Sequence, residues 1–419
     1  MKILISAMGC NPYLGSENYF GWAAVRCLAR DHDLWVLTSK RNRVPLEKGE
    51  AEGLVPKNVH FIYAGEFKEW HPNRLLARFQ SWKEYIDFSE AALPAAYDLC
   101  RSIKFDVVHH VTLATWRVAI PLWKLGIPFI LGPIGGYEQF PVRLLTILSP
   151  MAAGFELFRM LSNVASRFSP NVRKCIRRAA HVFVANMETE QLVRFIRGSG
   201  AGITRLTAAF QSDARIQDFS RFMSNKSLNG PLRLFAAGNM EGRKGVALAL
   251  HALARVKKTG VKFHYRLSAG GPEIPHLKRL AAKLDLNDEI LFADTLHGED
   301  YQRELGETHI YLLPSLRDSA GLTLTEAMLA GCVPVVADGG GPGIIVTEDC
   351  GYNIPVLNRE RMIRQLAATI TTIDRDRNII LNKGGAASRR IARSFSEDNY
   401  RNTVNAVYRS VLPIGTRMK

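Results

Sequence analysis

Two acids with seven residues between them, Asp318 and Glu326, flank Gly321 in the run Pro314–Ala337. The pattern predicts an acid in a loop, a helix opening at the glycine and a second acid one turn inside that helix. A helix start leaves backbone N–H groups without intrahelical partners, here those of Ala320, Gly321 and Leu322, and adds the positive end of the helix dipole. Both features suit a diphosphate. Glu326 can accept hydrogen bonds from the two hydroxyls of a ribose, and Asp318 can reach the hydroxyls of a sugar carried on that diphosphate. The chemistry indicated is the binding of a sugar nucleotide.

A cationic turn is the second candidate. The apolar run Leu232–Ala236 reads as a strand that ends at Gly238-Asn239, and the chain then passes through Arg243, Lys244 and Gly245 into a helix. A lysine at such a place sets positive charge against a pyrophosphate, while glycine lets the backbone come close. Two adjacent histidines, His109 and His110, stand near the end of another expected strand, Asp106–Val111. The carboxyl ends of strands in α/β sheets are where ligands bind, so either histidine is a candidate to face the sugar. Gly15 and Ser16 open the first helix and offer N–H groups to a donor phosphate or an acceptor, although capping by Ser16 explains the same pattern. No metal site is expected, since no Asp-x-Asp pair closes an expected strand. The six cysteines form no Cys-x-x-Cys pair, which argues against zinc and disulfides.

The elements that must carry these residues alternate. Strands are expected at Lys2–Ala7, Asp33–Ser39, Val59–Ala64, Asp106–Val111, Pro128–Leu131 and His181–Ala185. Helices are expected at Tyr19–Leu28, Leu75–Ile103 and Trp116–Leu125, with a long helical segment ending near Ala180. After a polar passage, Gln211–Pro231, strands recur at Leu232–Ala236, Lys262–Ser268, Glu289–Phe292, Ile310–Leu313 and Val333–Ala337. Helices recur at Gly245–Lys258, Ile274–Leu284, Tyr301–Leu305, Leu322–Ala330 and Glu360–Thr372. Strand–helix alternation predicts parallel sheets with right-handed crossovers. The expected fold class is α/β with two Rossmann-like domains facing across a cleft: residues 1–210 for an acceptor, 211–395 for a nucleotide sugar. A last helix, within 396–419, is expected to cross back to the first domain.

The acid–x7–acid window resembles the signature of retaining glycosyltransferases of family 4, which have the GT-B fold. That family usually has glutamate at both ends, where this chain has Asp318 first. The turn at Gly238, Lys244 and Gly245 is similar to the family's Gly-Arg-x4-Lys-Gly, with Asn239 in place of the arginine and Arg243 beside the lysine. Ser268-Ala-Gly-Gly271-Pro resembles its Gly-x-Gly-Pro turn near the nucleotide. Phe292–Leu296 resembles the region that contacts the base. Gly132-Pro-Ile-Gly-Gly resembles a segment on the acceptor side. The resemblance implies transfer of a sugar from a nucleoside-diphosphate donor to a glycan acceptor, without a cofactor or a metal. Two other readings stay open: a sugar-nucleotide epimerase of the same fold, and a donor-binding scaffold without catalysis.

The chain carries a net charge of +16. Within Phe140–Val184, Arg143, Arg159, Arg167, Arg173, Lys174, Arg177 and Arg178 accompany a single acid, Glu156, among bulky apolar residues. This mixture fits an interfacial helix on an anionic membrane, or equally a surface helix packed on its own domain. A lipid-linked acceptor is expected from the first reading, in exopolysaccharide or lipopolysaccharide assembly. No nucleic-acid-reading motif accompanies the charge. No apolar run is long enough to span a bilayer, and the N-terminal run reads as a strand rather than a secretory signal. The expected location is cytoplasmic, peripheral on the inner face of the membrane.

Overall fold

A computed structural model describes residues 1–65, 74–223, 226–268 and 270–412, with the side chains of Ser16 and residues 74–79 outside the description. The chain divides into two compact units. One comprises residues 1–137, 163–208 and 400–419, and the other residues 138–162 and 209–399.

The first unit holds a seven-stranded sheet in the order β3-β2-β1-β4-β5-β6-β7. Its strands are β1 Lys2–Ala7, β2 Asp33–Ser39, β3 Val59–Ala64, β4 Val107–Thr112, β5 Phe129–Ile134, β6 His181–Val184 and β7 Ile203–Arg205. Every pair is parallel. Ile3, Leu4 and Ile5 of β1 are all fully buried, as expected of strands covered on both faces. From Tyr400 onward the last helix, Glu397–Val411, packs in this unit. It buries Tyr400, Val404 and Tyr408, and Asn405 bonds His32 at 2.7 Å.

The second unit holds a six-stranded sheet in the order β10-β9-β8-β11-β12-β13. Its strands are β8 Leu232–Ala237, β9 Phe263–Ser268, β10 Ile290–Ala293, β11 Ile310–Leu313, β12 Val333–Ala337 and β13 Tyr352–Ile354. These pairs too are parallel. Strand order reverses between β8 and its neighbour β11. Such a reversal opens a crevice at the strands' carboxyl ends, and the two loops leaving it must lie side by side.

Three local departures from the expected elements have plain causes. The helix expected at Trp116–Leu125 is reduced to a 3-10 turn, Pro121–Leu125, because Pro121 holds Ile120 in an extended conformation. The long helix expected to end near Ala180 is two helices, Pro150–Phe168 and Pro170–Arg178, with Pro170 opening the second. Inside the polar passage Gln211–Pro231 a helix forms at Asp213–Ser220, where the Ser212 side chain accepts from the N–H of Arg215.

Residues 138–162 add a strap to the second unit. Phe140, Leu144 and Ile147 join that unit's core. Each such side chain contributes roughly 1.5–3 kcal/mol on burial. Leu148 and Ala152 lie against Gly242, where an added Cβ would stand 2.7 Å from Leu148 Cδ2.

Candidate functional site

The loops after β8 and β11 carry most of the residues singled out by their chemistry, and the fold joins them. The N–H of Leu316 donates to the carbonyl of Arg243 at 2.8 Å. Gly245 has φ 69°, and a Cβ there would meet the Pro314 carbonyl oxygen at 2.1 Å. The position therefore demands glycine both for its left-handed backbone and for the close approach of the two loops. The turn after β9 completes the floor: Met240 N–H donates to the Gly270 carbonyl at 2.8 Å, next to Gly271.

The side chains converge accordingly. Lys244 Nζ donates to Asp318 Oδ2 at 2.5 Å, each side chain 14% exposed. Arg243 Nη1 stands 4.0 Å from Asp318 Oδ1 and donates to the Arg317 carbonyl at 3.0 Å, while its Nε donates to Glu241 Oε2 at 2.6 Å. Burial alone would push the Asp318 carboxyl up. The charges of Lys244 and Arg243 and the Ala320 N–H outweigh it and hold the group at about 2, so it is ionised. Arg243 is affected in the opposite sense: burial would lower it, but Asp318 and Glu241 raise it further.

Gly321 opens the helix Leu322–Leu329 with φ 91°. Of the three N–H groups expected to face a diphosphate, that of Ala320 is bonded to the Asp318 carboxylate. Gly321 and Leu322 begin the helix, where the dipole is positive. Glu326 is buried one turn in. Its Oε1 accepts from Arg215 Nη1 at 2.6 Å and its Oε2 from the Tyr301 hydroxyl at 3.0 Å. Burial raises the Glu326 carboxyl, and Arg215 and Tyr301 offset part of that. An ionised carboxylate has about four lone-pair sites, so two bonds leave capacity for hydroxyl donors.

The remaining positions are accounted for singly. Gly238 follows β8 with nothing within 4 Å of an added Cβ, and the exposed Asn239 side chain donates to Glu241 Oε1 at 3.4 Å. Leu296 N–H donates to Ser268 Oγ at 2.7 Å, fixing the loop after β10 to the end of β9. Gly15 precedes the first helix, Ser16–Leu28, in the other unit, and the Ser16 side chain lies outside the described residues.

His109 and His110 lie on β4 in the first unit. Adjacent strand residues point to opposite faces, so the two rings part company. His109 Nδ1 meets the Tyr408 hydroxyl at 2.7 Å and Nε2 the Gly132 carbonyl at 2.7 Å. His110 Nδ1 meets Ser6 Oγ at 3.0 Å, and its Nε2 lies 3.2 Å from the Tyr85 hydroxyl. Both are buried, and burial pushes them down to about 3 and about 4, leaving neutral rings with both nitrogens engaged.

Arg215, Tyr301 and Glu241 were not legible as site residues, since each is defined by a partner distant in sequence or by a loop conformation. Nor were Glu138 and Glu156 of the strap. Arg317 Nε and Nη2 bind the two oxygens of Glu156 at 2.9 and 2.8 Å. Ser319 Oγ donates to Glu138 Oε1, and Arg159 Nη2 lies 3.6 Å from that same oxygen.

Residues 218–383 match the family model for glycosyl transferases group 1. The colanic acid biosynthesis glycosyltransferase candidate WcaL of Escherichia coli (strain K12) is 27% identical over 169 residues, covering 38% of this chain and 41% of that protein. The match thus spans about two fifths of that curated relative. Sucrose-phosphate synthase from Thermosynechococcus elongatus superposes with a TM-score of 0.66 at 18% identity, over 98% of each chain. The Anabaena protein Alr3699/HepE, solved with UDP-glucose, gives a TM-score of 0.60 at 14% identity over 98% of this chain and 100% of that one. The fold is the two-unit α/β architecture of the GT-B glycosyltransferases.

Proposed function

We propose that this chain, whose residues 218–383 form a glycosyl transferases group 1 segment, moves a sugar from a nucleoside-diphosphate donor to a glycan hydroxyl in cell-surface polysaccharide synthesis. One observation carries the reading: the cationic turn after β8 and the acid loop after β11 meet at the sheet's reversal, with Lys244 on Asp318. The name of WcaL supports the polysaccharide setting, and the UDP-glucose complex of HepE supports the donor class.

In this reading the diphosphate takes the place of Asp318 against Lys244 and Arg243, over the start of the helix at Gly321. Glu326, oriented by Arg215 and Tyr301, receives the ribose hydroxyls. Asp318, released from the lysine, turns to the sugar hydroxyls. Transfer is retaining. The bond from the anomeric carbon to the phosphate oxygen breaks, the acceptor oxygen bonds to that carbon on the same face, and its proton passes to the leaving phosphate. Lys244 and Arg243 meet the charge that develops there, a role in which fixed cations contribute strongly. A panel of UDP-, GDP- and ADP-sugars should contain one that raises the melting temperature, because a ligand preferring the folded state stabilises it. With a glycan acceptor, that same donor should release free nucleoside diphosphate. No shift with any donor would refute the binding reading, and a shift without release would leave a scaffold.

The acceptor is proposed to be lipid-linked and reached at an anionic membrane. The helix Pro150–Phe168 supports this by an inverted polarity. Its buried face carries Glu156, Arg159 and Asn163, while Met151 (74% exposed), Phe158, Leu161 (69%) and Phe168 (70%) face outward. Exposed Lys174, Arg177 and Arg178 follow on the next helix. Outward apolar side chains followed along the chain by cations suit the headgroup boundary of an anionic bilayer. No described helix is long and apolar enough to cross a membrane. Sedimentation with anionic vesicles should carry the protein down, and Leu161→Glu with Phe168→Glu should abolish it. Equal absence from anionic and neutral pellets at every salt concentration would reject the membrane.

A further inference from the structure

Asp318 is bracketed. The residue before it, Arg317, is held by Glu156 through two short bonds, and the residue after it, Ser319, is held by Glu138. Both glutamates belong to the strap, and both are buried, as is Arg159 beside Glu138. The Glu156–Arg317 pair is deeply covered, with side-chain exposures of 5% and 10%. A bidentate guanidinium–carboxylate pair fixes direction as well as distance, which a lysine or a single hydrogen bond does not. Asp318's own carbonyl is held too, accepting from Gly341 N–H at 2.8 Å. The strap is itself fastened to the site's floor, since Ser149 Oγ donates to Glu273 Oε1 at 2.6 Å.

We propose that Glu156 and Glu138 are positioning residues for Asp318: the strap sets the place and direction of the acid loop. Neither glutamate is a catalytic residue. Each acts through a neighbour of the acid. The charges are matched, because Glu138, Glu156, Glu241 and Asp318 are interleaved with Arg159, Arg317, Arg243 and Lys244. Removing one strap carboxylate therefore leaves a buried guanidinium one partner short, in the loop itself for Glu156 and beside Ser319's partner for Glu138. The proposal rests on the donor-site reading for its kinetic consequence, but its structural consequence stands alone.

The structural test is amide hydrogen exchange in the full chain. Glu156→Gln and Glu138→Gln should each speed exchange across Ser315–Gly321, while the helix Val246–Lys258 stays protected as in the unaltered protein. Unchanged exchange in that loop would overturn the proposal, whatever the protein's activity. The kinetic test is a double-mutant cycle. Glu156→Gln should lower kcat by on the order of tenfold to a hundredfold, the scale of a small misplacement of a reacting group, with KM for the donor within about twofold. Combined with Asp318→Asn, it should add little further loss, because both changes act on one group. Fully additive losses, or a lowered melting temperature with kcat unchanged, would reduce the strap to a structural brace. Glu360→Gln, which breaks an exposed pair with Arg255, serves as the control and should move none of these readings. Absence of donor binding or transfer in the unaltered protein would defeat the functional reading, and the exchange result would still decide the positioning claim.

Discussion

Lys244→Ala should lower kcat for sugar transfer by about 10²–10³-fold, the range found when one preorganised donor to a developing negative charge is removed. The lysine ammonium sits 2.5 Å from Asp318, beside Arg243 in the turn after β8. It is thus already desolvated and aimed before a donor arrives. Its loss also leaves Asp318 with Arg243, 4.0 Å away, as its nearby cation. Burial would then push the Asp318 carboxyl up from about 2, so the acid's ionisation would become sensitive to mild acidity. The variant should show an acid limb in its residual rate at a higher pH than the unaltered protein. Lys244→Arg should not restore the rate, because a planar guanidinium presents its charge in a different geometry. Steady-state kinetics and a pH profile of both variants decide the matter: a Lys244→Ala enzyme within about threefold of the original would remove the cationic turn from the mechanism.

Asp318→Asn should move binding and turnover in opposite directions. In the free protein the Asp318 carboxylate occupies the lysine that a diphosphate needs, so donor binding has to displace a negative charge already in place. Neutralising it removes a like charge from the anion's path, an effect worth several kcal/mol in close juxtaposition. Free nucleoside diphosphate should therefore bind about fivefold or more tightly. The transfer rate should fall by at least about tenfold, because an amide accepts hydrogen bonds from sugar hydroxyls more weakly than a carboxylate does. Calorimetry with the free nucleotide and turnover with the full donor separate the two. Weaker nucleotide binding in Asp318→Asn would show that the carboxylate supports the anion site instead of competing for it.

Much of the sheet architecture was legible because it rests on local signals. Largely apolar runs with glycine or proline close by define β1, β8, β11 and β12, and burial on both faces keeps such runs free of alternation. The three-residue strands β7 and β13 escaped because Ile203–Arg205 and Tyr352–Ile354 are too short to carry a pattern. The helix Asn378–Ser394 was missed although its buried positions Ile380, Gly384, Ala387 and Ile391 follow helical spacing, since two glycines inside it weaken the propensity signal. In the candidate site, Lys244 and Asp318 could be singled out because each lies near an element boundary that the sequence marks with glycine, and Glu326 because it falls one turn past Gly321. The strap could not. Glu156 finds Arg317 across 161 positions and Glu138 finds Ser319 across 181, and no local pattern encodes partners at that range. The two histidines, adjacent in sequence, are parted by the strand itself, since neighbours on a strand face opposite ways: His109 meets Tyr408 and Gly132, and His110 meets Ser6.

The strap also has a practical consequence for anyone who dissects the gene. A truncation guided by the matched family segment would begin near residue 218, and one guided by the second sheet near residue 209. Either clone would discard residues 138–162. The product would present bare apolar surface where Phe140, Leu144 and Ile147 belong, and an orphaned guanidinium at Arg317. Supplying the missing piece as a separate peptide should recover solubility, which would make this protein divisible only along a line that linear order does not mark.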